Sequence, residues 1–99
     1  MIQHTVVFNL KHPQGSAAEL GFLQRAKALG DLPDVIDLKV LRQIGKKNDF
    51  TFGLSMYFES EAEYQAYNDH PEHIKFVNQV WLPEVVEFLE IDYEDADLP

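Results

Sequence analysis

The sequence has no cysteine, few basic residues and no long hydrophobic run. Without cysteine, neither a disulfide nor a cysteine-based metal cage can reinforce the fold. Only 8 Lys and Arg stand against 17 Asp and Glu, and the formal charge of -9 repels phosphate backbones and anionic lipids, so neither nucleic acid nor a membrane surface is expected as a partner. No segment approaches the roughly 18 apolar residues of a spanning helix and the N-terminus lacks a signal-peptide pattern, which predicts a cytoplasmic protein.

The length limits the chain to one small core. With 99 residues and 45% hydrophobic content, we expect a single domain over residues 1–99 that ends in an acidic tail at about 94–99. A domain of this size buries only about 60–70% of the surface of its unfolded chain. Oligomerisation is therefore expected to add to the burial.

Apolar periodicity divides the chain into strands and helices. Alternation with period two predicts strands at residues 2–10, 35–42, 50–58 and 85–93. Helical spacing predicts a helix after Ser16, a second after Ser60 and a third from Pro71 to Trp81. The polar GKKND segment between the second and third strands predicts a hairpin.

Short signals predict where these helices begin and end. Each of the first two opens with Ser followed three residues later by Glu, the pattern of a capping box, at Ser16/Glu19 and Ser60/Glu63. Gly30 is expected to close the first helix as a C′ glycine. Pro71 suits the first position of the third helix, which makes His70 a helix-junction residue. His12, beside Pro13, is expected in an exposed loop.

The element order, β-α-β-β-α-β, is that of a ferredoxin-like α+β fold with helices on one face of a four-stranded antiparallel sheet. The last strand carries apolar residues on both parities, and Val7 and Tyr57 add apolar surface to the face without helices. This face needs a cover. We predict that two sheets pack face to face in a homodimer, forming a dimeric α+β barrel.

Several segments resemble those of one protein family. MIQHTVVFNLK, the LPDV turn, FES before the second helix, YNDHPEHIKFV and WLPEVVEFLEIDY follow one another in the order of stress-responsive A/B barrel (Dabb) proteins, over residues 2–93. The resemblance implies a homodimeric barrel. The family includes plant stress proteins, polyketide cyclases and many bacterial members of undefined role, so the resemblance alone does not choose an activity.

In cyclases of this family a tyrosine works with the second histidine of an HPxH element, and Tyr67 and His73 match that spacing. The resemblance implies that His73 abstracts a proton from a carbon flanked by carbonyls, that Tyr67 orients a carbonyl oxygen, and that an aldol condensation closes a ring. It also implies that Asp92 orients the histidine. Hydrophobicity favours Ile91 on the core side instead, so the facing of Asp92 and Glu90 stays open.

His73 precedes apolar residues at helical spacing, so its ring should point towards the apolar side of the third helix. Two interpretations remain: a core histidine satisfied by one hydrogen bond, or a base that lines a pocket between helices and sheet. The residues expected to line such a pocket and bind a substrate are His4, Val6, Phe8, Leu54, Met56, Phe76 and Trp81.

No metal or other cofactor is expected. His70 and His73, with His4 as a third ligand, have a spacing that metal sites favour, but Pro71 makes His70 a junction residue and no acidic ligand has an evident position. The acidic residues near the C-terminus lack the spacing of an EF-hand loop and are expected on a solvated edge and tail: Glu84, Glu87, Glu90, Asp92, Glu94, Asp95 and Asp97.

Three functions follow as hypotheses. The first is a homodimer that binds a small, largely apolar or polyketide-like molecule, with a cyclase-like lyase or isomerase activity as its extension. The second is a non-catalytic stress-associated or self-assembly protein. The third is a cofactor-free monooxygenase, by analogy with other dimeric barrels. A cavity beside His73 Nε2 and the Tyr67 hydroxyl would favour the enzyme, and a filled interior would reject it.

Overall fold

A computed structural model describes residues 1–99 as four strands and three main helices in the expected order. The strands are β1 (Ile2–Leu10), β2 (Ile36–Arg42), β3 (Phe52–Phe58) and β4 (Val85–Glu94). The helices are α1 (Ala17–Ala28), α2 (Glu61–Asp69) and α3 (Pro71–Phe76). A 3-10 turn (Leu29–Asp31) follows α1, and a π-helical segment (Val77–Trp81) and an α-helical turn (Leu82–Glu84) follow α3. None of the helices has the length and hydrophobicity needed to cross a bilayer.

The sheet confirms the ferredoxin-like α+β prediction. Its four strands are antiparallel in the order β2-β3-β1-β4, which leaves β4 at an edge. The β1–β4 register places His4 opposite Asp92, Val6 opposite Glu90 and Phe8 opposite Phe88. Because paired residues in an antiparallel sheet share a face, even-numbered positions from 88 to 92 lie on the same side as His4 and Val6.

The helices cover that face and enclose an aromatic core. The Phe8 ring lies 5.6 Å from Phe22 of α1 and 5.1 Å from Trp81, centroid to centroid. Phe8 and Phe22 are both fully buried. Burying one such side chain contributes about 1.5–3 kcal/mol, so these aromatic contacts fix how α1 and the π-helical segment sit on the sheet.

The start of α1 follows the capping-box prediction in part. Ser16 Oγ accepts a hydrogen bond from the Glu19 backbone N–H at 3.2 Å. The Glu19 carboxylate accepts from the Gly15 N–H at 3.0 Å, one residue before the expected partner. At the second helix, Ser60 Oγ accepts from the Ala62 N–H, whereas a capping box would use the residue at 63.

Gly30 stands at the predicted C′ position, directly after the C-cap residue Leu29, but it lacks the left-handed conformation of a C′ glycine. Helix α1 ends at Ala28, Gly30 lies inside the 3-10 turn, and only Gly15 among the glycines has a positive φ. A Cβ at Gly30 would stand 3.2 Å from the Leu38 Cβ, so the close approach of this turn to β2 is what requires a small residue.

The third helix departs from the α geometry predicted up to Trp81. The Leu82 N–H donates to the Val77 carbonyl, five residues earlier, so the segment is wound as a π-helix. Pro83 explains the change, because proline lacks an N–H and its ring would clash with the carbonyl of Gln79, four residues earlier.

The sheet face away from the helices is uncovered within the chain. On β4 the side chains of Leu89, Ile91 and Tyr93 are 50%, 39% and 52% exposed. Val7 lies opposite Leu89 in the neighbouring strand and is only half-buried. The second apolar face predicted from the sequence is therefore present and open.

Candidate functional site

A cavity of about 170 Å³ lies between the helices and the sheet. It is lined by 14 residues, of which 10 are hydrophobic. Six of the seven residues expected to line a pocket do so: His4, Val6, Leu54, Met56, Phe76 and Trp81. The other lining residues are Leu29, Tyr67, Asn68, His73, Val77, Leu82, Phe88 and Glu90.

Phe8 was expected in the pocket lining but does not reach the cavity. Its ring is fully buried and contacts Phe22, Phe52 and Trp81. Trp81 itself lines the cavity, so Phe8 contributes to the cavity only indirectly, by packing against the Trp81 ring.

His73 and Tyr67 meet at one side of the cavity. Their ring centroids are 4.3 Å apart, with the rings tilted by 45°. His73 Nδ1 lies 3.3 Å from the Asn68 carbonyl oxygen, which can only accept a hydrogen bond, so Nδ1 carries the proton and Nε2 has a free lone pair. Burial lowers the pKa of His73 below its ordinary 6.5, with the Asn68 hydrogen bond opposing the shift, so the ring is neutral at pH 7.

The Tyr67 side chain is only 3% exposed, yet no group of the protein forms a hydrogen bond with its hydroxyl. No fully buried side-chain polar atom is left without a partner, so this hydroxyl keeps some accessible surface, and Tyr67 lines the cavity. Burial raises the pKa of Tyr67, and the charge of Glu90 raises it further. The hydroxyl therefore stays protonated and can donate a hydrogen bond to a bound molecule.

Asp92 contacts a different histidine from the one expected. Its Oδ1 lies 2.6 Å from His4 Nδ1, whereas Nδ1 of His73 is bound to the Asn68 carbonyl. The register explains the pairing, because residue 92 stands directly opposite residue 4 on the neighbouring strand. His4 is 7% exposed and its Nδ1 donates to the carboxylate, which leaves Nε2 as the acceptor nitrogen of this cavity-lining ring.

Tyr64 completes this arrangement and was not predicted from the sequence. Its hydroxyl lies 2.8 Å from His4 Nδ1 and donates to Asp92 Oδ2 at 2.9 Å. Its ring stacks on Phe58 at 4.9 Å with an interplanar angle of 5°. The available signal was its position one helical turn before Tyr67, which places both tyrosines on the sheet-facing side of α2.

Glu90 settles the open question about the facing of β4. It lies opposite Val6 and lines the cavity, so the helix-side positions of β4 include both Glu90 and Asp92. Hydrophobicity favoured the opposite parity, because Leu89, Ile91 and Tyr93 lie on the uncovered face. The cavity is thus apolar but has one carboxylate at its border.

The remaining histidines lie outside the cavity. His70 joins α2 to α3 as expected, with Nδ1 accepting from the Glu72 N–H at 3.1 Å. The expectation of an exposed His12 and a solvated Glu84 is wrong: His12 Nε2 lies 2.6 Å from Glu84 Oε1, with side chains 14% and 12% exposed. The two residues meet because β1 ends where β4 begins. No group of three or more His, Asp or Glu side chains is arranged to hold a metal ion.

The fold and this site define a ferredoxin-like α+β domain with a partly open cavity lined by two histidines and a tyrosine. The chain belongs to the Dabb family, described as the stress responsive A/B barrel domain, which matches residues 2–95. It is 26% identical over 101 residues to a stress-response A/B barrel domain-containing protein of Arabidopsis thaliana. That match covers 100% of this chain and 38% of the plant protein, so the chain spans well under half the length of this curated relative.

Solved structures agree with this assignment. A Dabb family protein with a ferredoxin-like fold from Mesorhizobium loti has a TM-score of 0.94 and 50% identity, covering 95% of each chain. A dimeric ferredoxin-like protein of unknown function from Bacteroides fragilis has a TM-score of 0.71 and 17% identity, covering 95% of each chain. The hydroxynitrile lyase of Passiflora edulis has a TM-score of 0.84 and 16% identity, covering 99% of this chain and 96% of the lyase. At these low identities the last two show the shared fold alone.

Proposed function

We propose that this chain is a homodimeric, cofactor-independent protein that binds a small, neutral carbonyl compound in the cavity and moves a proton next to its carbonyl group. The observation that carries the proposal is the combination of two histidines with free Nε2 atoms and an unpartnered tyrosine hydroxyl in one largely apolar cavity.

The size of the cavity limits the ligand. An apolar cavity of about 150 Å³ is large enough to hold benzene. The cavity of about 170 Å³ therefore suits a single ring or a chain of several heavy atoms. Glu90 at its border and the formal charge of -9 disfavour an anion, and the largely apolar lining disfavours any charged group, so the ligand should be neutral.

The roles of the site residues follow from their hydrogen bonds. The Asp92 carboxylate holds the His4 Nδ1–H and would stabilise the imidazolium that forms when Nε2 takes a proton, so His4 is the base in this proposal. The carbon–hydrogen bond of the substrate breaks, its proton passes to His4 Nε2, and its electron pair enters an enolate. Tyr67 donates to the enolate oxygen. His73, which was expected to be the base, contacts the Tyr67 ring, and its Nε2 is available to accept a hydrogen bond from a substrate that carries a donor.

A test that needs no knowledge of the natural substrate is exchange of α-protons for deuterium. Cyclohexanone in D₂O, followed by proton NMR, is a suitable probe because it is neutral and contains one ring. General acid–base catalysis contributes about 10²–10⁴-fold in rate, so His4→Gln and Tyr67→Phe should each slow the catalysed exchange at least tenfold. The matched control is His70→Asn, which removes a histidine but keeps a residue that can cap α3.

Two results would contradict this proposal, the first its function and the second its choice of base. The first is a wild-type protein that exchanges cyclohexanone no faster than buffer and shows no cavity-residue shifts when cyclic ketones are titrated in. The second is a His4→Gln variant that keeps the wild-type exchange rate, which would return the role of base to His73.

The dimer is supported by the uncovered apolar face of the sheet, where Leu89, Ile91 and Tyr93 would be buried against a second copy. This face also favours the alternative of a non-catalytic self-assembling protein, which would keep the dimer but show no exchange. Ile91→Asp should give a monomer in analytical ultracentrifugation. Ile74→Asp, at a 47% exposed position on α3, is the control and should leave the dimer intact. A dimeric Ile91→Asp variant would contradict the face-to-face arrangement.

A further inference from the structure

Tyr64 lies between the base and its carboxylate, and its hydroxyl contacts both. The three polar groups form a closed set: His4 Nδ1 to Asp92 Oδ1 at 2.6 Å, the Tyr64 hydroxyl to Asp92 Oδ2 at 2.9 Å, and the Tyr64 hydroxyl to His4 Nδ1 at 2.8 Å. The hydroxyl has one proton, which it donates to the carboxylate, so its oxygen faces the imidazole as an acceptor. His4 Nδ1 therefore meets two oxygens that both accept.

This arrangement favours one neutral tautomer of His4. With the proton on Nδ1, the ring donates to Asp92 and the oxygen of Tyr64. With the proton on Nε2, the Tyr64 hydroxyl would have to turn its proton from Asp92 to Nδ1, and the lone pair of Nδ1 would still face the Asp92 carboxylate at 2.6 Å. The proton of His4 is thus held on Nδ1, next to β4, and the lone pair of Nε2 stays available to a molecule in the cavity.

Asp92 alone is poorly placed to hold His4 in the Nδ1–H tautomer. It lies on the edge strand β4 and its side chain is 42% exposed, so water competes for the carboxylate and the side chain can rotate away. Tyr64 holds the second carboxylate oxygen, and its own ring is fixed by stacking on the fully buried Phe58. Burial and the neighbouring Asp92 raise the pKa of Tyr64, so its hydroxyl remains a donor throughout the neutral range.

We propose that Tyr64 is a positioning residue that anchors the Asp92 carboxylate and thereby fixes His4 as the Nδ1–H tautomer with Nε2 open to the cavity. This role rests on the proposed function, in which His4 is the base, but the tautomer itself can be measured without any substrate.

The experiment compares the histidine tautomers of wild-type protein and Tyr64→Phe by long-range nitrogen–proton NMR at a pH where His4 is neutral. The Phe variant keeps the aromatic ring and its stacking but loses the hydroxyl. We expect the Nε2–H form of His4 to be minor in the wild type and to rise at least threefold in Tyr64→Phe. Asp92→Asn should shift the tautomer in the same direction, because an amide N–H placed against Nδ1 requires a lone pair there.

Tyr57→Phe is the matched control, since Tyr57 lies on β3 and its hydroxyl makes no contact with His4. The tautomer ratio of His4 in this variant should equal that of the wild type. An unchanged ratio in a folded Tyr64→Phe variant would overturn the proposal. If that variant unfolds, the wild-type protein gives the test: a Tyr64 hydroxyl held between two partners should exchange slowly with water and show an Overhauser contact to the His4 ring. A rapidly exchanging hydroxyl would overturn the proposal equally.

The exchange of cyclohexanone α-protons separates this inference from the proposed function. A tautomer shift in Tyr64→Phe together with at least a threefold slower exchange supports both. A tautomer shift in a protein whose wild type has no exchange activity supports the positioning of His4 but contradicts the function. Wild-type exchange rates in Tyr64→Phe, with an unchanged tautomer, contradict the positioning role and leave the function standing.

Discussion

The ion pair at the junction of β1, α1 and β4 gives a prediction about stability that can be worked out from the structure. Glu84 accepts from His12 Nε2 at 2.6 Å and from Arg25 Nη2 at 3.1 and 3.0 Å. Its side chain and that of His12 are 12% and 14% exposed, whereas Arg25 is 50% exposed. We predict that Glu84→Gln, which keeps the shape but removes the charge, destabilises the protein.

The magnitude follows from the exposure of each partner. A hydrogen bond to a charged group contributes about 1.5–3 kcal/mol, and His12 supplies one in a largely buried setting. The half-exposed Arg25 adds at most about 1 kcal/mol, because solvent screens its pair. Some bonding survives with the amide, so the expected loss is about 2 kcal/mol in the free energy of unfolding. For a domain of this size, that lowers Tm by roughly 8–16 °C.

Urea unfolding and calorimetry measure this loss, both at one fixed protein concentration, since the stability of the proposed dimer would depend on concentration. Glu59→Gln is the matched control, because Glu59 is an exposed glutamate just after β3 that makes no hydrogen bond through its side chain. A Glu84→Gln variant within about 0.5 kcal/mol of Glu59→Gln would refute the reasoning, because surface substitutions usually fall within that range.

Two further predictions concern the cavity and the core. Because burial lowers the pKa of His73, the unfolded chain binds a proton more readily than the folded protein, so the free energy of unfolding should fall as the pH drops below about 6.5. His73→Gln should remove that part of the pH dependence in urea titrations at pH 5.0 to 7.5, and an unchanged slope would show that the ring is not desolvated. Phe22→Ala should cost about 3–5 kcal/mol by leaving a cavity among fully buried rings, whereas Leu20→Ala, at a 56% exposed position of α1, should cost little; equal losses would contradict the packing described for α1.

Much of the site could be predicted from the sequence. The contacts that could not be predicted have one common cause. The helical spacing behind His73 and the alternation around His4 correctly indicated that both rings lie on the helix side of the sheet. The pairing of Asp92 with His4 instead of His73 depends on strand register, which couples residues far apart in the chain. Tyr64 could not be assigned for the same reason, since its two polar partners lie on β1 and β4.

The local elements were determined by the sequence itself. Period-two alternation, serine caps, Pro71 and the polar hairpin loop act over a few residues, so the order β-α-β-β-α-β and the second apolar face of β4 follow from the chain without coordinates. Only the tertiary structure decided which carboxylate meets which histidine, why Gly30 must be small, and that Phe8 supports the cavity from behind. These are contacts between side chains that are far apart in the sequence. Their distances are set by the sheet register and by how the helices pack on the sheet, which local patterns do not encode.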